Sequence, residues 1–302
     1  MIDVQRLRVL RAVAEHGSFN RAATALRLTP SAVSQQIAAL ERGIGAQVVD
    51  RSTRGVTLTR AGRIMVGAAE TVAAELEHAR QQVDRLGTGL TRLTVATFTS
   101  GGRLLLPAAL ARLAAEHPRT VIHIREGEPE DTLPLVRQGA VDLALAYRFD
   151  GPLPGGPGAG SGLEWTPLME DPLYVVLPRE HRFAGRDALD LSELAGEPWV
   201  LGCMRTEAYL RRYAGIAGFD PEVRGTTTDY FFARSLVAAG LGISLIPSIA
   251  LGPEVPGLRA VPVAAPGPVR HIGAAVLGRG GRPHVAALVR ALREEAARHG
   301  GR

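Results

Sequence analysis

The residue types able to do chemistry gather in two places. The first is residues 29–42, TPSAVSQQIAALER. Thr29 can cap a helix through its hydroxyl, and Pro30 suits the first helical position, where a missing N–H costs nothing. At about 100° per residue, Val33, Ile37 and Leu40 fall on one side, while Ser31, Ser34, Gln35, Ala38 and Arg42 gather on the other. Short hydroxyls and an amide can reach base edges, and glutamine can bond adenine N6 and N7 together. The same side chains would suit a solvated face, although the paired charges that keep such a face soluble are missing. Just beyond, QVVDRSTRGVTLT (residues 47–59) places two β-rich runs around Ser52-Thr53-Arg54-Gly55, a hairpin with Arg51 and Arg54 beside its tip. Arg51 could meet DNA there or pair with Asp50.

In the second place, Thr97, Thr99 and Ser100 close an apolar run just before Gly101-Gly102 and a helical pattern. Gly202, Cys203, Met204 and Thr206, and later Thr227, Thr228 and Asp229, also stand between a strand pattern and a helix. Hydroxyls beside the free N–H groups of a helix start form an anion-binding arrangement. Capping explains Thr99 and Asp229 equally well. Cys203 is the single cysteine, which rules out an internal disulfide. It could sense oxidation, yet it has no resolving partner, and free cysteine is more often a small buried hydrophobe. No Cys/His pairing has zinc spacing. Residues 150–162, DGPLPGGPGAGSG, match neither G-x-G-x-x-G nor G-x-S-x-G, so they read as a loop and Ser161 is no esterase nucleophile. No metal, no cofactor and no enzyme activity are expected. Tyr147, His123 and Trp165 read as core or lining residues.

These groups need elements to hold them. Leu7, Leu10, Val13 and Ala14 give a helix over residues 3–15, stopped at His16-Gly17. Ser18 is placed to cap a second helix through Ala22, Ala23 and Leu26, and the Arg27-Leu28 turn leads to the Thr29 helix, making a helix-turn-helix. Over residues 60–86, Met65, Ala69, Val72, Leu76, Ala79, Val83 and Leu86 alternate in steps of four and three. That is a coiled-coil seam, and it predicts a dimerising helix about 40 Å long. The competing reading is a stripe packed on its own domain. Gly87, Thr88 and Gly89 end the helix.

Beyond residue 91, strand patterns at 93–97, 121–125 and 141–147 alternate with helical ones at 104–116 and 132–138, which predicts βαβ units and a mainly parallel sheet. A second series has strands at 173–177, 199–201, 223–226 and 243–247, with helices at 191–194, 207–217 and 230–239. The chain returns through Val261 and residues 271–277 to a last helix at 284–298. Two α/β lobes hinged around a cleft are expected.

With 302 residues, 46% hydrophobic and 22% charged, the chain can build two or three cores. Its net charge is +5, and all of that excess lies in residues 1–62, where nine arginines face four carboxylates; the remainder holds 26 charges of each sign. A basic patch confined to the helix-turn-helix points to a polyanion such as double-stranded DNA. All 35 basic residues are arginine. No apolar run approaches the roughly 18 residues that cross a bilayer, and the opening MIDVQRLRVL has no signal-peptide pattern, so a cytoplasmic protein with no membrane partner is expected.

The order GSFNRAATAL, TPSAVSQQIAALERGIG, VVDRSTRGVTLTRAG closely resembles the N-terminal winged helix of LysR-type transcriptional regulators. LLPAALARLAAEHP, VDLALAY and LVAAGLGISLIP resemble, more loosely, the effector-sensing domain of that family, which has periplasmic-binding-protein architecture. The resemblance implies an α/β chain of three parts: a winged helix-turn-helix at 1–60, a linker helix at 61–88 and a two-lobed sensing domain at 91–302. Lobe I would take 91–161 and 269–302, and lobe II 162–268. It implies that Thr29, Pro30, Ser31, Ser34, Gln35, Arg51 and Arg54 contact DNA. It implies an unknown small-molecule effector in the cleft near Thr97, Thr99, Ser100, Glu128, Gly202, Cys203, Thr206 and Asp229. It further implies self-association as dimer or tetramer and contact with RNA polymerase. One departure stands out at Gly127-Glu128-Pro129, where the family commonly has Ser or Thr after the glycine. A carboxylate there would repel an acidic effector, and an amine or Arg148 is the alternative partner. An enzyme using the cleft and a plain solute-binding module are the rival readings.

Overall fold

The computed structural model describes residues 2–52, 55–149, 163–203, 206–252, 255–265, 267–277 and 282–299. Arg54, the loop expected at 150–162 and Met204 lie outside the described residues.

The head is three helices and a hairpin: α1 (Val4–His16), α2 (Phe19–Leu26), α3 (Pro30–Ile44), β1 (Val49–Ser52) and β2 (Gly55–Leu58). Asp3 caps α1 by accepting from the Gln5 amide at 3.0 Å. Ser18, expected to cap α2, stands at the N-cap position but makes no side-chain cap bond. Leu10, Val13, Val33, Ile37 and Leu40 are buried together as the head's core. The hairpin pairs Val49 with Leu58 through Ser52 with Gly55. It is fixed to the helices by Val56 N–H donating to the Gly17 carbonyl and by Glu41 Oε1 accepting from the Val48 amide.

α4 (Arg60–Thr88) runs 29 residues, about 43 Å. A Cβ on Gly62 would overlap the Val48 carbonyl, so only glycine lets this helix start against the strand. The seam residues divide. Met65, Ala69 and Val72 pack on the head's own core, whereas Leu76, Ala79 and Val83 are exposed. The side chain of Leu86 lies outside the described ones.

The third part is the two-lobed α/β domain. Lobe I has β3 (Thr91–Thr97), α5 (Thr99–Leu104), α6 (Leu106–Glu116), β4 (Thr120–Glu126), α7 (Pro129–Arg137) and β5 (Leu143–Arg148). The chain continues with β6 (Leu163–Pro178), β7 (Pro198–Leu201), α8 (Thr206–Ile216), β8 (Glu222–Thr226), α9 (Tyr230–Ala238), β9 (Ser244–Pro247), α10 (Ser248–Leu251) and β10 (Leu258–Pro262). It returns through β11 (Val269–Leu277) to α11 (Pro283–His299).

Two expectations change here. The sheet is mixed: β4, β3 and β5 are parallel, but β11 runs antiparallel to both β5 and β6. The lobe boundary also moves. The first half of β6 pairs with β11 in lobe I, from Leu163 opposite Leu277 to Pro172 opposite Val269. Its second half pairs with β9 and β10 in lobe II. The division expected at 162 precedes β6, whereas the change of partners falls inside that one continuous strand, near residue 172. Pro167 and Pro172 hid the strand, because proline lacks the N–H that a ladder normally uses.

Candidate DNA-reading face and effector cavity

The start of α3 is built to present polar groups outward. Thr29 Oγ1 accepts from the Ala32 amide at 3.2 Å, and Pro30 occupies the first turn. Val33, Ile37 and Leu40 anchor the opposite face, so the helix cannot turn its polar side inward. Thr29, Pro30, Ser31 and Gln35 are exposed and Ser34 is half-buried. Arg27 holds the turn before α3 in a left-handed conformation, φ 55°. Arg51 lies on β1, with its side chain outside those described; Arg54 lies outside the described residues altogether. An exposed ridge of hydroxyls and an amide on a rigid helix, with a hairpin next to it, has the form that enters a major groove.

The second site lies between the lobes. Phe98, Thr99 and Ser100 come from the start of α5, Arg103 from its last turn, and Glu128 from the start of α7. Tyr147 and Arg270 come from β5 and β11, while Gly202, Cys203, Thr228, Asp229, Tyr230 and Phe231 form the opposing wall. The cavity encloses about 410 Å³ including its open mouth, and its interior has room for about one water-sized molecule. A Cβ on Gly202 would overlap the Tyr230 ring, so glycine there allows the wall to close.

Buried charge organises this cavity. Arg270 and Asp171 sit opposite each other on β11 and β6 and are 2% and 0% exposed at the side chain. Arg270 donates to Asp171 Oδ2 at 2.6 and 2.9 Å and to Ser100 Oγ at 3.1 Å. Asp171 Oδ1 also accepts from the Ser248 hydroxyl and the Ile249 amide, both in lobe II. Burial alone would depress the Arg270 pKa, but Asp171, with Tyr230 and Tyr147, outweighs it and the net shift is upward. The guanidinium also lies 4.7 Å from the Tyr147 ring centre and 5.3 Å from that of Phe98.

Glu128 is the N-cap residue of α7 but makes no side-chain cap bond. Its carboxylate instead accepts from the Tyr147 hydroxyl at 2.7 Å, with Cys203 Sγ 4.0 Å away. The amine-or-Arg148 alternative is thereby corrected as to Arg148: the partner found is Tyr147. Burial, then the Glu128 charge, pushes the Tyr147 phenol well above its ordinary value. Tyr230 is pushed up to about 12, mainly by burial.

Among the expected effector residues, Thr99, Ser100, Glu128, Gly202, Cys203 and Asp229 line the cavity. Thr99 does not cap α5; it donates to Glu126 at 2.6 Å. Asp229 both lines the cavity and caps α9 by accepting from the Phe231 amide. Thr97 and Thr206 are corrected to supporting positions. Thr97 is buried with its hydroxyl on the Phe98 carbonyl, and Thr206 is buried against the Tyr230 hydroxyl. Tyr147 is a lining residue as expected, Trp165 is half-buried, and His123 is exposed on β4 rather than core. Sequence reasoning missed Arg270, Asp171, Arg103 and the rings of Phe98, Tyr230 and Phe231. A signal existed for Arg270: a lone arginine inside the apolar run VRHIGAAVL needs a buried partner.

Residues 4–63 match the model of the bacterial regulatory helix-turn-helix protein, lysR family, and residues 88–297 match the LysR substrate binding domain. The chain belongs to the LysR family, DNA-binding transcriptional regulators that carry an effector-binding domain. It is 32% identical to a probable hydrogen peroxide-inducible genes activator of Mycobacterium avium, over 91% of this chain and 88% of that one. It is 28% identical to the DNA-binding transcriptional dual regulator OxyR of Escherichia coli K12, over 90% and 88%. A cysteine-to-serine mutant of Corynebacterium glutamicum OxyR, with H2O2 bound, superposes with a TM-score of 0.57 at 26% identity, covering 99% of this chain and 94% of that one.

Proposed function

We propose that this regulator binds a two-fold-related promoter site as a dimer and responds to a small molecule held between its lobes. The observation that carries the DNA half is the exposed ridge from Thr29 to Gln35 over a buried anchoring face. The dimer is supported by α4, where Leu76 and Val83 are 57% and 65% exposed and a groove opens against α1. Two heads joined this way meet half-sites about 34 Å apart, or a multiple of that. Effector binding changes the angle between the lobes and so the spacing of the heads, or the bend of the DNA. Such a regulator works in the cytoplasm beside RNA polymerase.

Selection of genomic fragments by the purified protein tests this reading. A shared inverted repeat upstream of genes is expected, and random enrichment overturns it. Arg54→Ala should weaken binding evenly across sequences and lower the salt slope by about 1; an unchanged slope removes Arg54 from the phosphate contacts.

A second reading is supported by the names of the relatives, by the water-sized space and by Cys203 in its wall. Here peroxide is the signal: the Cys203 thiolate attacks one peroxide oxygen, giving a sulfenic acid and hydroxide. The carboxylate of Glu128 beside the sulfur opposes the thiolate that this step needs. If peroxide alters the DNA footprint of the wild type and leaves Cys203→Ser unchanged, the second reading replaces the first.

A further inference from the structure

The charge balance of the cavity points to one class of ligand. Its buried cation is already spent: Arg270 is held by Asp171 through two short bonds and by Ser100. Glu128 is in the opposite condition. Its carboxylate has a phenol and a thiol beside it, and among the described residues it has no ion-pair partner. A carboxylate in a closing cavity gains most from a desolvated cation or a charged hydrogen-bond donor. Asp229 adds a second carboxylate to the wall.

The aromatic lining fits the same guest. Cations bind over aromatic faces, and the cavity already uses its rings in that way. Arg103, exposed at the mouth, lays its guanidinium 3.6 Å from the centre of the Phe231 ring. Among the described residues no hydrogen bond or ion pair holds that side chain, so a competing cation has only the ring contact to displace. Its guanidinium sits where an incoming cation would sit, and its departure enlarges a space that otherwise holds about one water-sized molecule.

We infer that the effector of this regulator is a compact organic cation whose ammonium or guanidinium group binds at Glu128 and displaces Arg103 from the Phe231 face. This rests on the cavity being the effector site. A carboxylate effector would face Glu128 and Asp229 with Arg270 already neutralised and Arg103, the lining's other cation, turned onto the Phe231 face at the mouth.

The test uses purified full-length protein and four probes of similar size: ethylammonium, methylguanidinium, propionamide and propionate. Calorimetry and thermal shift follow binding to the wild type, to Glu128→Gln, and to Thr228→Trp, which fills the cavity from its exposed wall. The amide of Glu128→Gln can still accept from Tyr147, and its unliganded melting curve reports whether it has folded. The expected result is binding of the two cations only, weakened about tenfold or more by Glu128→Gln and abolished by Thr228→Trp. Binding of propionate, lost in Thr228→Trp, would overturn the cation and leave the cavity as the effector site. Binding that neither variant changes, or no binding by any probe, would overturn the cation and the cavity reading together.

Discussion

The head and the cavity solve opposite problems with polar side chains. On the head, Ser31 and Gln35 stand in solvent above an apolar anchor, and Thr29 beside them spends its hydroxyl on the helix cap. In the cavity, Arg270, Asp171, Ser100, Ser248, Tyr147 and Glu128 are joined to one another before any ligand arrives. A reader of DNA keeps its polar groups idle and can lose one without unfolding. A cavity of buried polar groups cannot, because each one lost leaves another buried and unsatisfied.

Breaking the buried ion pair should have the largest effect. Arg270→Met leaves Asp171 charged and unpaired, and denaturant unfolding should show a loss of about 3–5 kcal/mol. The double variant Asp171→Leu/Arg270→Met should recover most of it; a single variant as stable as the wild type would mean that the two regions do not differ in this way. Next comes the apolar anchor. Leu40→Ala should cost about 2–5 kcal/mol, confined to the melting of the head. Removing the α3 cap with Thr29→Ala should cost about 1 kcal/mol, read by the same unfolding curve.

Alkaline pH acts on the cavity through its two tyrosines. Tyr230, raised from 10.0 to about 12, is neutral in the folded state at a pH where the unfolded chain would ionise it. Its contribution to stability is therefore whole below pH 10 and is lost as pH rises toward 12. Tyr147 is shifted the same way. Unfolding midpoints measured across this range should fall for the wild type and fall less for Tyr230→Phe. At the small end of the scale, Ser31→Ala and Gln35→Ala should change stability by less than about 0.5 kcal/mol. In binding to matched and mismatched operators, each should lose about 1–3 kcal/mol of discrimination; equal affinity for both sites in the wild type would remove these residues from base reading.

The same contrast explains what was legible beforehand. The head is local: Thr29 and its Ala32 partner are three residues apart, and the 3.6-residue spacing of Val33, Ile37 and Leu40 displays the buried face directly. The cavity is non-local. Arg270 meets Asp171 across 99 positions and Ser100 across 170, and no periodicity announces such a meeting. Strand-to-helix junctions bring Ser100, Cys203 and Asp229 into view, because helix starts line the cleft, and Glu128 stands out only as a departure from the family's pattern. Side-chain direction decided the rest: Thr97 and Thr206 occupy the right junctions but turn into the core. The α4 seam was read as one surface, yet its first half covers the head and only its second half is open.

The crossing between lobes has a mechanical consequence. β6 passes from one lobe to the other without a break, and the return into β11 runs beside it, with the Leu173 amide donating to the Pro268 carbonyl. Two hydrogen-bonded strands form a ribbon, stiff against stretching and bending within its plane but soft in torsion. Arg270 and Asp171 clamp that ribbon at the crossing. The lobes are thus coupled less like a pair of jaws than like two weights on a twisted strip, which favours rotation of one lobe against the other.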